Sequence, residues 1–325
     1  MEAGSSGTHG RIPDFFIVGH AKSGTTALYE MLKGHPQIYM PVLKEPWFFA
    51  SDMKPRFQPF RSGVPPQTLE EYEALFADAV PGQRAGEASS SYLWSQTAAA
   101  AIAAVKPDAR IVAILREPAS FLRSLHLQLL QSHVEVEKDF RTAVGLEAAR
   151  REGREVPSTS HRPQLLQYAE HVRYAEQVRR YHEHFPPEQV LVLIYDDFRS
   201  DNEGTVRAVM RHIGVDAEGP VKVLDVNPSI MMRSQRLDDL VYAVSVGRGG
   251  AATRMARATI KAVLPRRARR GALGVARDRI IHGPPPGVDE EFQAQLRSRF
   301  RPEVVAISEY LGRDLVGLWG YDDVA

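Results

Sequence analysis

The stretch "FIVGHAKSGTTALYEML", residues 16–32, constrains the fold more than any other part of this chain. A short apolar run ends at Gly19, a loop follows, and then Ala27, Leu28, Met31 and Leu32 recur at helical spacing, with Gly34 at a C-cap. Strand, glycine-bearing turn and helix in that order give a phosphate loop its setting, because loop amides and a helix N-terminus converge on one point. Gly19 and Gly24 have the spacing of the Walker loop G-x-x-x-x-G-K-[ST], but Thr25 stands where its lysine belongs. The loop's lysine is Lys22, on the other side of the turn, where its ammonium would lie over a terminal group and its bridging oxygen. Thr25 and Thr26 add two hydroxyl donors at the helix start. From this stretch alone two readings stand: an anion cradle with a displaced lysine, or a glycine-containing turn that binds nothing.

The rest of the chain reads as α/β. "DFFIVG" (14–19), "ARIVAILREP" (109–118) and "QVLVLIYDDF" (189–198) are apolar runs of buried-strand type. Helical patterns lie between and after them, at about 69–78, 96–105, 118–133, 139–152, 163–184 and 202–213, and a last helix runs through "DEEFQAQLRSRFRPEVVAISEYL". This alternation predicts a mainly parallel sheet flanked by helices on both faces. The 325 residues are 43% apolar and 25% charged, an ordinary globular balance, and we expect one domain over 13–325. Residues 1–12 are polar and Gly/Ser-rich and read as a disordered lead-in without the apolar core of a signal peptide. The net charge of +1 provides no general attraction for nucleic acid. Cysteine is absent, which removes disulfides, thiolate metal sites and a thiol nucleophile, and suits the cytoplasm.

Charge is unevenly placed. Residues 248–279 hold ten Lys and Arg against one acid, Asp278. That segment reads either as a solvated basic face or as a peripheral contact for an anionic membrane or lipid. Residues 53–68, rich in Pro, Arg and Phe, read as a long surface loop.

Several of these stretches together resemble the sulfotransferases that use 3′-phosphoadenosine-5′-phosphosulfate (PAPS), including the heparan-type and bacterial members. "KSGTTAL" (22–28) resembles their 5′-phosphosulfate loop, K-[ST]-G-T-T-x-L. "LREPASFLRSLH" resembles their strand ending in Arg, followed by x-Pro and by a Ser eight residues after the Arg. "KEPWFF" resembles their K-E-x-x-F-F segment, and "RAGEASSSYLWS" (84–95) their acceptor-cleft segment. "FRPEVVAISEYLGRDLVGLWGYDD" is similar to the closing helix and tail, whereas about 229–282 is a basic, variable segment. Phe121 stands where members often carry another Arg, and Ala88 and Ser89 where heparan-type enzymes carry Lys.

The resemblance implies a P-loop-like sulfotransferase fold, PAPS as co-substrate, no metal, and an acceptor bearing a hydroxyl. It assigns Lys22, Ser23, Gly24, Thr25 and Thr26 to the 5′-phosphosulfate, Arg116 and Ser124 to the 3′-phosphate, and Glu45 to the catalytic base. Sulfuryl transfer needs such a pair, a base for the hydroxyl proton and positive charge near the leaving oxygen, supplied here by Glu45 and Lys22. His20 and His126 are the other candidate bases. Two rival readings remain at this level. One is a P-loop kinase with Asp196 as its Mg²⁺ ligand, which Thr25 argues against. The other is a non-enzymatic anion- or membrane-binding protein that uses residues 248–279.

Overall fold

The computed structural model describes residues 11–53, 65–219, 221, 231–232, 282–283, 287–322 and 324. The basic stretch 248–279 and most of the loop expected at 53–68 lie outside the described residues. Of the lead-in expected over 1–12, Arg11 and Ile12 belong to the folded part. The Arg11 guanidinium donates to Asp14 at 2.6 Å, and Ile12 packs on the core.

Five parallel strands form the centre, in the order β2 (Ile38–Tyr39), β3 (Arg84–Ala88), β1 (Phe15–Gly19), β4 (Arg110–Leu115), β5 (Val190–Ile194). The two-residue alternation of side chains sorts them onto two cores. Phe16, Val18, Ile111, Ala113 and Leu115 face α3 (Ala98–Val105), α4 (Pro118–Gln131), α7 (Tyr174–His182) and α10 (Glu290–Leu311). Phe15, Ile17, Val112 and Ile114 face α1 (Thr25–Lys33) and α9 (Asn202–Ile213). A sheet covered on both sides needs apolar residues at successive positions, which is why β1 and β4 are the runs most easily read. The expected α/β class with a mainly parallel, helix-flanked sheet is thus the observed one.

Four elements depart from the sequence reading. β3 and β2 were not expected as strands, since "RAGEA" carries Gly86 and Glu87 where a buried strand normally carries apolar side chains. Residues 163–184 form two 3₁₀ turns, Pro163–Leu166 and Tyr168–Val172, before α7. The helix breaks at Gln167 and Arg173, whose ψ angles of 80° and 59° are not helical. The Gln177 amide compensates by donating to the freed carbonyls of Glu170 and His171, at 2.9 and 3.2 Å. Finally, β5 stops at Ile194, and "YDDFRS" begins α8 (Tyr195–Ser200) instead of extending the strand.

Gly86 explains how β3 fits beside β1. It lies in register with Phe15, and a Cβ at this position would fall on the fully buried Phe15 ring. Gly86→Ala should therefore overpack the sheet and lower stability by about 1–3 kcal/mol in urea denaturation. An unchanged unfolding midpoint would contradict this packing.

Candidate active site

The carboxyl ends of the parallel strands meet along one rim, where open α/β sheets bind ligands. β1 ends there in a register slip between Ile17 and Gly19 against β4, and the chain leaves the sheet into residues 20–24. Gly19 is closely covered: an added Cβ would lie 2.7 Å from Leu93 Cβ and 2.9 Å from the Ser90 carbonyl oxygen. Gly24 has φ 87°, and a Cβ would strike the Phe198 ring at 2.8 Å. Both positions need glycine for space, and the second also for its left-handed backbone. α1 then begins with no side-chain cap and no acid in its first turn. Its first amides and the helix dipole are left to an anion.

Arg116, just past β4, ties itself to this loop. Its Nη1 donates to the Lys22 carbonyl oxygen at 2.9 Å, its Nε to Ser120 Oγ at 3.1 Å, and the guanidinium lies 4.8 Å from the Tyr195 ring centroid. Burial lowers the pKa of Lys22, and the neighbouring Arg116 charge lowers it further. Burial likewise lowers that of Arg116. Two cations held together in a half-buried place, without a carboxylate paired to either among the described residues, mark a site for a multiply charged anion. Glu117 caps α4 by accepting from the amides of Ala119 and Ser120 at 2.9 and 2.6 Å, which aims that helix at the same rim. Ser124 is buried on α4, one turn beyond Ser120 and on the same side of the helix.

Glu45 arrives from the other side of the rim. The segment after β2 is strapped to the end of β3: the Glu45 amide donates to the Ala88 carbonyl at 3.1 Å and the Trp47 amide to Ser89 Oγ at 3.2 Å. Ser90 Oγ donates to Glu45 Oε1 at 2.7 Å, while Lys44 Nζ lies 3.5 Å from that oxygen and 2.8 Å from Thr26 Oγ1. Glu45 is therefore linked through Lys44 to the start of α1. Lys22, Glu45 and Trp47 all have positive φ, of 62°, 59° and 52°. Such strain costs on the order of 1–3 kcal/mol per residue and persists where a functional geometry holds it.

Beyond Glu45 lies a cavity of about 130 Å³. Glu45, Ser90, His20 and Arg162 line it with polar groups, and Phe121, Leu125, Leu129, Val134 and Leu165 with apolar ones. His20 Nε2 meets Gln177 Oε1 at 2.6 Å and its ring packs against Phe121 and Tyr174. Burial pushes its pKa down to about 4, so it is neutral. His126 is elsewhere. Its Nδ1 meets Tyr168 Oη at 2.9 Å and its Nε2 the Lys138 carbonyl at 3.2 Å. Tyr168 in turn donates to Glu135, whose carboxylate is buried in a two-pronged pair with Arg150 at 2.7 and 2.8 Å. That network is structural and removes His126 from the candidate bases.

The structure brings together Lys22, Ser23, Gly24, Thr25, Thr26 and Arg116, with Glu45 across the rim. Sequence reasoning missed Ser90, Trp47, Arg162 and Tyr195. Ser90 and Trp47 lie inside stretches it singled out, while nothing in "TSHRPQ" marks Arg162. Asp196, the Mg²⁺ ligand of the kinase reading, stands two residues past the end of β5. It lies in α8 and accepts from Trp319 Nε1 at 3.0 Å.

Comparison with known proteins identifies the class. Residues 12–232 match the sulfotransferase domain, and the chain belongs to that family. The structure of a sulfotransferase from Alicyclobacillus acidocaldarius is similar, with a TM-score of 0.59 and 29% identity, covering 75% of this chain and 99% of that one. Heparan sulfate glucosamine 3-O-sulfotransferase 3A1 of Mus musculus is 27% identical over 205 residues, 63% of this chain and 46% of its own length. Carbohydrate sulfotransferase 15 of Homo sapiens is 29% identical over 172 residues, 40% of this chain and 30% of its own. The chain spans about half the length, or less, of these curated relatives.

One buried acid below the rim titrates abnormally. Glu87 on β3 is fully buried, with Tyr72 Oη donating to its Oε2 at 2.9 Å. Burial pushes its pKa up to about 7, and nearby Glu45 adds to the rise. A carboxyl whose pKa is higher in the folded state binds more protons folded than unfolded, so stability is lost as pH rises from the ordinary carboxyl range through 7. Glu87→Gln should therefore gain on wild type by on the order of 3 kcal/mol between about pH 4 and about pH 8 in denaturation experiments. Parallel pH profiles for the two proteins would contradict the assignment.

Proposed function

We propose that this protein transfers a sulfuryl group from PAPS to the hydroxyl of an acceptor, giving a sulfate ester and adenosine 3′,5′-bisphosphate. The observation that carries the reading is the bond from Arg116 Nη1 to the Lys22 carbonyl oxygen at 2.9 Å. It joins two sequence elements, 94 positions apart, into one half-buried cationic site at the strand ends. Membership of the sulfotransferase family supports the same donor.

Each residue then has a task. Residues 23–26 offer amides and hydroxyls to the 5′-phosphosulfate, and Arg116 and Ser124 serve the 3′-phosphate. Bound PAPS supplies the sulfuryl group and a bisphosphate leaving group. Lys22 meets the charge that develops on the bridging oxygen. Glu45 takes the acceptor's proton, oriented by the Ser90 hydroxyl at 2.7 Å and with Lys44 Nζ 3.5 Å from the same oxygen. Metal has no assigned task here, because Lys22, Arg116 and the loop amides supply the positive charge. We place the reaction in the cytoplasm, where the cysteine-free composition fits a reducing environment.

Two variants separate the roles. Glu45→Gln should lower transfer of label from PAPS into a cell extract by about 10²–10⁴-fold, with bisphosphate affinity nearly unchanged. Lys22→Ala should reduce both transfer and bisphosphate affinity, since its ammonium meets the donor before and during the reaction. Near-normal transfer by Glu45→Gln would remove Glu45 as the base and leave His20 as the candidate.

A further inference from the structure

Arg162 is a buried cation with no carboxylate paired to it among the described residues. Its side chain is only 5% exposed, and it lines the cavity that Glu45 and Ser90 border. The guanidinium carbon lies 3.5 Å from the centroid of the Trp47 ring, which fixes it in place by a cation–π contact. Its Nε is buried with no hydrogen-bond acceptor, and among the described residues no carboxylate approaches the guanidinium within 4.0 Å. Phe121, Leu125, Leu129, Val134 and Leu165 make much of the remaining lining apolar, and its further polar members Ser91, Gln128 and Ser132 carry no charge to offset the guanidinium. Burial draws its pKa down to about 10, opposed by attraction to Glu45.

A cation placed in this way costs stability, and a fold does not retain it for packing. The buried Arg150 of the same protein shows the structural use of the residue, with a two-pronged carboxylate at 2.7 and 2.8 Å. Arg162 lacks that, and its planar fork suits a carboxylate, sulfate or phosphate oxygen pair.

We propose that the acceptor is a small hydroxy acid with an apolar body, whose acidic group is received by Arg162 while its hydroxyl lies at Glu45 and Ser90. This rests on the reading of the cavity as the acceptor site. A volume of about 130 Å³ accommodates a single ring-sized body, and the apolar wall covers the part between the two polar ends. Arg162 is then a specificity residue. It rejects acceptors lacking the acid, because they would leave its charge buried and unpaired.

Matched probes test this by calorimetry on the full chain saturated with adenosine 3′,5′-bisphosphate. The pairs are 4-hydroxybenzoate with 4-methylphenol, 3-hydroxybenzoate with 3-methylphenol, and 3-(4-hydroxyphenyl)propanoate with 4-propylphenol. At least one acid should bind ten-fold or more tightly than its uncharged twin. Arg162→Met should erase that preference, Arg162→Lys should keep part of it, and neither should alter bisphosphate affinity. Ligand-free Arg162→Met should melt no lower than wild type, because an unpaired buried charge has been removed. Binding of no acid, equal binding within every pair, or a preference that survives Arg162→Met would overturn the proposal. A marked fall in melting temperature for Arg162→Met would overturn it as well, by making the residue structural. Failure of the bisphosphate itself to bind is a different result. It would defeat the sulfotransferase reading, and the same pairs titrated without it would still decide the role of Arg162.

Discussion

The hydrogen bond from Arg116 to the Lys22 carbonyl oxygen is the contact on which the site depends. β1 and β4 are adjacent and parallel, so their carboxyl ends fall on one rim whatever ligand is bound. Adjacency alone does not shape the loop. Lys22 sits at φ 62° and Gly24 at φ 87°, a path that an unsupported chain would leave readily. The Arg116 guanidinium pins that path from one side and the Phe198 ring closes against Gly24 from the other. Once the path is fixed, the amides at the start of α1 and the ammonium of Lys22 have fixed positions.

The Glu45 side of the rim is built by a different device. Glu45 is carried on a loop, and three polar contacts to the end of β3 stand in for regular structure: Glu45 to Ala88, Trp47 to Ser89, and Ser90 to Glu45. The buried Glu87 lies on the same strand, one residue before Ala88. Its raised pKa follows from the burial of that strand end, while Glu45 itself, 27% exposed, lies 3.5 Å from Lys44 at the edge of the cavity. The loop side of the rim thus gathers positive charge for an anion, and the opposite side sets one negative group among polar partners.

Much of this was legible in the sequence, for identifiable reasons. β1, β4 and β5 are apolar at successive positions because helices cover both faces, and that pattern survives without any structure. The loop was legible because glycine spacing and Lys22 record its backbone path directly. β3 was not, because Gly86 yields space to Phe15 and Glu87 is buried on tyrosine hydroxyls, so neither looks like strand core. The 163–184 segment misled because its apolar periodicity is sound, while the break depends on Gln177 bonding carbonyls six and seven residues earlier. Arg162 could not be read at all. Its meaning lies in the lack of a paired carboxylate among the described residues, within a cavity assembled from separate parts of the chain.

The central claim is that the loop and Arg116 hold an adenosine nucleotide phosphorylated at both the 3′ and 5′ positions. Thermal unfolding of wild type and Arg116→Ala, each with adenosine 3′,5′-bisphosphate, with adenosine 5′-monophosphate, and with ATP and Mg²⁺, tests it most directly. A ligand that binds the folded state alone stabilises it by RT ln(1 + [L]/Kd), so at equal concentration the tighter ligand gives the larger rise in melting temperature. The account predicts the largest shift for wild type with the bisphosphate, and loss of most of its advantage over the monophosphate in Arg116→Ala. A larger shift with ATP and Mg²⁺ than with the bisphosphate, or an undiminished 3′-phosphate preference in Arg116→Ala, would contradict it.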